Sequence, residues 1–248
     1  MKGAGELEIR SIVKERYSKL ATTPETGKCC GEDDGCCGGS SRESRDTVPA
    51  EASSINAGCG SPMLLVTPKP GETVLDLGSG GGIDVFRASQ LVGPGGRAIG
   101  VDATPEMIWR ARATREKYVD KYSNTEFRLG EIECLPIASD SVDYVISNCV
   151  INLSPDKSAV FMEAFRVLKR GGMFAVADVT LDAEIPETEK KNMDSWSACI
   201  SGGLTEQAYR SMLEKAGFED VSIEHVSSSN IGKFSFEYHS SHIKARKK

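Results

Sequence analysis

No apolar run in the sequence approaches the roughly 20 residues that a membrane-spanning helix needs. The segment Met1–Arg10 mixes charges with glycine and holds no hydrophobic signal core. These two absences place the chain in the cytoplasm, away from any membrane, where thiols stay reduced. No internal repeat is visible, and no Gly-Lys-Ser/Thr follows the glycines, which excludes a phosphate loop. An excess of positive charge is also missing. The 30 Lys and Arg face 36 Asp and Glu, for a net charge of −6, which argues against a nucleic-acid partner. The basic run Lys244-Ala245-Arg246-Lys247-Lys248 reads as a frayed, solvated tail.

What is present is an ordinary globular composition with an unusual supply of thiols. At 248 residues, 39% hydrophobic and 27% charged, the chain suffices for one α/β domain with a full core and an appendage. Eight cysteines in a reducing compartment point to metal binding or redox chemistry rather than structural bridges. Cys134, before Leu135-Pro136-Ile137, reads as a small hydrophobe packed in the interior.

Ile9, Ile12, Val13, Tyr17 and Leu20 recur at helical spacing and predict an amphipathic helix over about 5–20. Residues 22–54, rich in Thr, Gly, Ser, Pro and charge, read as a long mobile loop bearing Cys29, Cys30, Cys36 and Cys37. From Thr73 the rhythm alternates. Strands are predicted at Thr73–Leu77, Arg97–Val101, Thr125–Leu129, Val142–Ser147 and Met173–Val179. Helices are predicted at Ile83–Val92, from Pro105 to about Tyr122, and at Asp156–Lys169, the last stopped by Arg170-Gly171-Gly172. Farther on, helices are expected around Glu187–Ala198 and Thr205–Ala216, and strands around Val221–Val226 and Phe234–Ile243. The alternation implies a Rossmann-like, doubly wound, largely parallel sheet with an N-terminal helix and a smaller C-terminal α+β region. We divide the chain into residues 1–54 (helix and cysteine-rich loop), 55–180 (cofactor-binding domain) and 181–248 (substrate-binding region).

In such a sheet, ligands bind beyond the carboxyl ends of the strands, where strand order reverses. Asp76-Leu77-Gly78-Ser79-Gly80-Gly81-Gly82 ends the first strand, and its glycines let the backbone turn sharply against a nucleoside. Asp102 ends the second strand, where a carboxylate can accept from both ribose hydroxyls. A dinucleotide fingerprint fails, because its third glycine falls on Ile83 or Val85. Acidic strand end, glycines and Asp102 together indicate S-adenosyl-L-methionine, with Ser79, Ala103 and Met107 completing the pocket.

Val74–Asp84, Gly100-Val101-Asp102, Gly130–Pro136 and Leu168–Gly172 resemble the successive motifs of class I S-adenosylmethionine methyltransferases. More narrowly, Gly58-Cys59-Gly60, Ser147-Asn148-Cys149-Val150-Ile151-Asn152-Leu153 and Ala198-Cys199-Ile200 resemble the arsenite methyltransferases. The resemblance implies that Ile132, Glu133 and Asn148 line the cofactor pocket. For Glu133 the residues alone allow a solvated loop carboxylate instead. It further implies that Cys149 and Cys199 bind arsenic, while Cys59 and an N-terminal thiol, Cys29 or Cys30, assist loading or redox turnover. A thioredoxin- or glutathione-type reductant would reopen the resulting disulfide. The N-terminus departs from the simplest family pattern, since Cys36 and Cys37 also stand there and Cys-Cys-x5-Cys-Cys is able to chelate a metal alone. The chain also ends near its last predicted strand, without the cysteine-rich C-terminal extension of some relatives.

Thiolates suit soft, thiophilic trivalent arsenic, and Cys149 follows the fourth strand at the edge where a donor methyl would point. As a plain core residue it would simply pack beside Val150 and Ile151. Three other functions compete. A small organic acceptor such as a quinone precursor would leave Cys149 and Cys199 dispensable. A non-catalytic metalloid-binding protein would need a broken cofactor site, whereas Asp76, Gly78, Gly80 and Asp102 are intact. Nucleic-acid methylation would need Asn-Pro-Pro-Tyr or Asp-Pro-Pro-Tyr where Asn148-Cys149-Val150-Ile151 stands.

Overall fold

A computed structural model describes residues 2–22, 48–53, 60–185, 202–229 and 237–248. The expected loop thiols, Cys59, Cys199 and the expected helix at 187–198 lie outside the described residues. Eight strands are described: β1 (Thr73–Leu77), β2 (Arg97–Asp102), β3 (Thr125–Leu129), β4 (Val142–Asn148), β5 (Leu168–Leu181), β6 (Leu204–Thr205), β7 (Glu219–Ser229) and β8 (Tyr238–Arg246). They form one sheet in the order β3-β2-β1-β4-β5-β8-β7, with β6 paired to β5. β1 to β6 pair in parallel, while β8 runs antiparallel to both β5 and β7. Strands from residues 181–248 therefore extend the same sheet that carries the glycine-rich loop.

The helices are α1 (Lys2–Thr22), α2 (Ala50–Ser53), α3 (Ile83–Val92), α4 (Pro105–Lys117), α5 (Val119–Tyr122), α6 (Lys157–Val167) and α7 (Glu206–Lys215). Successive strand side chains point to opposite faces, and each face carries its own apolar layer. Leu75, Leu77, Val145, Phe174 and Val176 meet Phe161 of α6 and Leu213 of α7 on one side. Val74, Ala98, Ile146 and Ala175 meet Phe86 of α3 and Ile108 of α4 on the other. Local chemistry sets the helix starts: the Asp156 side chain accepts from Ala159 N ahead of α6, and the Thr205 side chain from Ala208 N ahead of α7. At the end of α1, the Arg110 guanidinium donates to Ala21 O and so satisfies a terminal carbonyl.

Four local expectations are corrected. The helix from Pro105 breaks at Tyr118, whose φ of −124° and ψ of 37° are non-helical, giving α4 and α5. The helix before β5 ends at Val167, because Leu168 already pairs with Val142 as a strand residue. Arg170-Gly171-Gly172 therefore lies within β5 rather than stopping a helix. The C-terminal basic run is not a frayed tail. Lys244 to Arg246 form part of β8, and buried Lys247 pairs with Asp140 (2.8 Å), donates to Phe165 O and lies over the Phe165 ring. Finally, Cys134 is a free, exposed thiol, while its neighbours Leu135 and Ile137 take the interior positions.

Candidate active site

Strand order reverses at β1, which β2 flanks on one side and β4 on the other, and the crevice opens there. The ends of β1 and β4 are held together by Ser147, whose buried hydroxyl donates to Leu77 O (3.0 Å). Gly78 turns away from β1 with φ +68°, and a Cβ on it would lie 2.5 Å from the Val150 side chain. The glycine thus meets two needs, a left-handed backbone and the close approach of the segment after β4.

A cleft of about 1080 Å³ of open volume, mouth included, follows this turn, a size suited to a small-molecule ligand. Asp76, Gly78, Ser79, Gly80, Asp102, Ala103, Met107, Ile132, Glu133 and Asn148 all line it. Sequence reasoning missed a further wall. Arg10, Val13, Lys14 and Tyr17 line the same cleft from α1, spaced at i, i+3, i+4 and i+7 on one helix face. The charged pair in that stripe masked it as a solvated surface. Arg10 lies 3.4 Å from Glu131 and 3.2 Å from Glu133, and Lys14 is 2.5 Å from Glu131. Glu133 also accepts from the Ser154 hydroxyl (2.6 Å). It is a mostly buried, doubly held carboxylate rather than a solvated one.

The cleft suits a cationic nucleoside. Asp102 accepts from Gly80 N through one carboxylate oxygen (2.9 Å) and from Thr104 N through the other (2.8 Å). The loop thereby fixes the orientation of the carboxylate, and each oxygen keeps a further lone pair. Burial raises the Asp102 pKa against the pull of these two hydrogen bonds. Burial also raises Asp76 well above the ordinary carboxylate range, with the neighbouring charges of Asp84 and Asp102 adding to the effect. A positive charge placed among these acids would favour their ionised forms. The donor set therefore fits a ribose diol beside a sulfonium or an ammonium group.

The thiol side stands at the next strand end. Asn148 donates to Gly60 O (2.6 Å) and accepts from Gly60 N (3.2 Å), a reciprocal clamp across 88 residues of chain. Gly60 lies so near β5 that a Cβ there would fall 2.8 Å from the Ala177 Cβ. Cys149 donates its N–H to Ala177 O (2.9 Å). Its φ of +55° is uncommon for any residue but glycine. The side chain is buried, and Asn148 and Val150 line the cleft on either side of it. Cys149 is disulfide-bonded, whereas Cys134 is a free thiol.

Among the described residues no helix is long and apolar enough to cross a membrane. A family model described as a methyltransferase domain matches residues 68–217. The arsenite methyltransferase of Halobacterium salinarum is 45% identical over 233 residues, spanning 87% of this chain and 59% of that protein. The mouse arsenite methyltransferase is 40% identical over 186 residues, spanning 71% of this chain and 48% of that protein. The chain thus spans about half to three fifths of these curated relatives. The crystal structure of an arsenic(III) S-adenosylmethionine methyltransferase from Chlamydomonas reinhardtii superposes with a TM-score of 0.71 at 32% identity, covering 81% of this chain and 71% of that one. On the matched domain, the shared fold and this identity, the chain belongs to the arsenite methyltransferase family of class I S-adenosylmethionine-dependent methyltransferases.

Proposed function

We propose that the protein methylates trivalent arsenic held by its thiolates, in arsenic detoxification in the cytoplasm. The observation that carries this reading is the position of Cys149. It sits at the carboxyl end of β4 in a left-handed backbone, flanked by two residues of the cofactor cleft. Cys59 directly precedes Gly60 in the sequence, and Asn148 clamps Gly60 at that same strand end; by family resemblance Cys59 assists loading or redox turnover. Cys199, from the substrate region 181–248, completes the set by family resemblance, and Cys29 or Cys30 serves the redox step.

When bound, S-adenosylmethionine supplies a methyl carbon made electrophilic by its sulfonium, and S-adenosylhomocysteine is left. The residues of the chain do the rest. Asp102 and the backbone from Gly78 to Gly80 orient the nucleoside, with Asp76, Ser79, Ala103, Met107, Ile132 and Glu133 closing around it. The thiolates displace hydroxide or a small thiol from arsenite or its thiol conjugate and hold arsenic as a pyramid with its lone pair free. No general base is required, because arsenic carries no proton. The catalytic advantage comes from alignment and from exclusion of water. Methylation formally raises arsenic to the pentavalent state. A pair of cysteine thiolates then gives up two electrons by forming a disulfide, which returns arsenic to the trivalent state. A thioredoxin- or glutathione-type thiol reopens that disulfide by exchange. The disulfide at Cys149 supports placing this residue in that cycle.

Single-turnover methylation of arsenite by the reduced protein tests the reading, with methylarsenicals and S-adenosylhomocysteine followed together. Methylated arsenic from the parent, lost in Cys149→Ser and Cys199→Ser with cofactor affinity kept, is the expected result. Cofactor binding without any methylarsenical would overturn the arsenic assignment in favour of an organic acceptor.

A further inference from the structure

The segment from Cys149 to Ser154 has a second set of anchors that no cysteine provides. Asn152 is fully buried, and its amide nitrogen donates to Asp178 Oδ1 (2.9 Å) and to Val179 O (2.7 Å), both on β5. The same Asp178 oxygen accepts from Val179 N (2.8 Å). Both amide hydrogens of Asn152 are therefore spent on β5, three residues after Cys149 bonds to Ala177 O on the same strand. Lys157, buried at the start of α6, donates to Ser154 O (2.8 Å), and the Ser154 hydroxyl continues to Glu133. Tyr209 of α7 is also fully buried; burial pushes its phenol pKa upward, and the nearby Asp178 carboxylate adds to the effect.

A buried Asn–Asp pair is a costly way to close a loop. Each polar atom must be desolvated, and apolar residues of similar volume would satisfy the core. What the pair provides is a fixed length and direction between β5 and the segment after β4. Left-handed backbone at a residue with a Cβ persists only where the surroundings over-determine it. Among the described residues, and beside the disulfide, the surroundings include the Cys149–Ala177 hydrogen bond on one side and the Asn152–Asp178 pair on the other.

We infer that Asn152 and Asp178 are positioning residues that hold Cys149 in its left-handed, buried conformation at the end of β4, and so set the thiol for the soft substrate. The inference rests on the proposed role of Cys149. It predicts that loosening the pair changes the thiol and leaves the cofactor cleft as it is.

The test uses the reduced full chain and three readouts. These are the alkylation rate of Cys149 by iodoacetamide, resolved by peptide mass spectrometry, arsenite binding by equilibrium dialysis, and S-adenosylmethionine affinity. Asn152→Ala and Asp178→Ala are expected to speed alkylation and to weaken arsenite binding, each by about tenfold. Cofactor affinity should stay within about twofold. Asp178→Asn keeps an acceptor oxygen for Asn152 and Val179 and is expected to match the parent, a rescue that a general loss of packing would not give. Should an alanine variant fail to fold, Asn152→Asp keeps the volume, sets a second carboxyl against Asp178, and carries the same expectation. Parent-like alkylation and arsenite binding in these variants, with binding lost in Cys149→Ser, would overturn the positioning inference alone. Undiminished arsenite binding in Cys149→Ser would overturn the thiol reading and the positioning inference with it.

Discussion

The cofactor end and the thiol end of the crevice are built on adjacent strands by different means. At the cofactor end, the turn after β1 is organised by its own backbone and by Asp102, 22 residues away from Gly80. The acids and glycines sit where strand geometry already points, and the needed contacts form between neighbouring parallel strands. At the thiol end, Cys149 depends on Ala177, Asn148 reaches back 88 residues to Gly60, and Asn152 reaches Asp178. That site exists only once β4, β5 and the chain before β1 are assembled. The difference teaches that each end can be damaged with the other kept, except where Gly78 and Val150 meet between them.

Gly78→Ala is the largest expected break in that comparison. The new Cβ meets Val150 at 2.5 Å in a backbone of φ +68°, combining left-handed strain of about 1–2 kcal/mol with overpacking of about 1–3 kcal/mol. A loss of about 2–5 kcal/mol in chemical denaturation is expected, together with weakened cofactor binding and altered Cys149 reactivity. Parent-like stability would show that Val150 yields freely and that the two ends are separable.

Asp178 sharpens the comparison from the thiol side through pH. Burial lifts its pKa from 3.8 to about 7 against the opposing pull of Val179 N, Lys157, Asn152 and Tyr209. Between these values the folded protein binds a proton that the unfolded chain does not. This group's contribution to stability is therefore full below pH 4, falls as pH rises to about 7, and is level above that. At about 1.4 kcal/mol per pKa unit, the full span is on the order of 4 kcal/mol. Asp178→Asn removes this titration, so denaturation midpoints measured from pH 4 to 8 should decline less than those of the parent. A parent-like slope would assign the effect to other groups.

Asp102→Ala tests the cofactor side alone. It strips a partner from Gly80 N and Thr104 N and an acceptor from the ligand, hydrogen bonds to a charged group worth about 1.5–3 kcal/mol each. S-adenosylmethionine affinity measured by calorimetry should fall about a hundredfold, while arsenite binding to the reduced thiols is kept. Loss of both would mean that the thiol end leans on the cofactor turn.

The parallel sheet and the cofactor end were legible because their signals are local. A buried apolar strand, glycines and an acid at the next strand end occupy one short stretch, and the ten residues named from sequence all line one cleft. The α1 wall was not legible as such. Arg10 and Lys14 break its apolar stripe, and their partners Glu131 and Glu133 lie more than 100 residues on. The Asn148–Gly60 clamp and the Asn152–Asp178 pair left no local trace, since each joins segments that only the sheet brings together. Lys247 misled for a related reason. A basic terminus reads as solvated until tertiary structure supplies Asp140 and the Phe165 ring. Cys134 misled in the opposite direction, because alternation on a bent loop sends Leu135 and Ile137 inward and leaves the thiol outside.

Arg10→Ala is the smallest break and joins the two ends. Arg10 holds Glu131 and Glu133 from α1, and Glu133 also accepts from Ser154, the last residue of the Cys149 segment. The guanidinium is partly exposed while Glu133 is largely buried, so water screens the pair only in part and its worth stays near the upper range for exposed ion pairs, about 1 kcal/mol. Removing it should weaken S-adenosylmethionine binding by about two- to fivefold, chiefly through faster release, because α1 supplies one wall of the cleft. The deficit should shrink as salt is raised, since added ions screen the parent's pair and have nothing to screen in the variant. Stopped-flow release rates at low and high ionic strength check both expectations. A deficit independent of salt would trace the effect to lost packing of α1 rather than to its charges, and an unchanged release rate would leave α1 as a wall that the bound cofactor does not lean on.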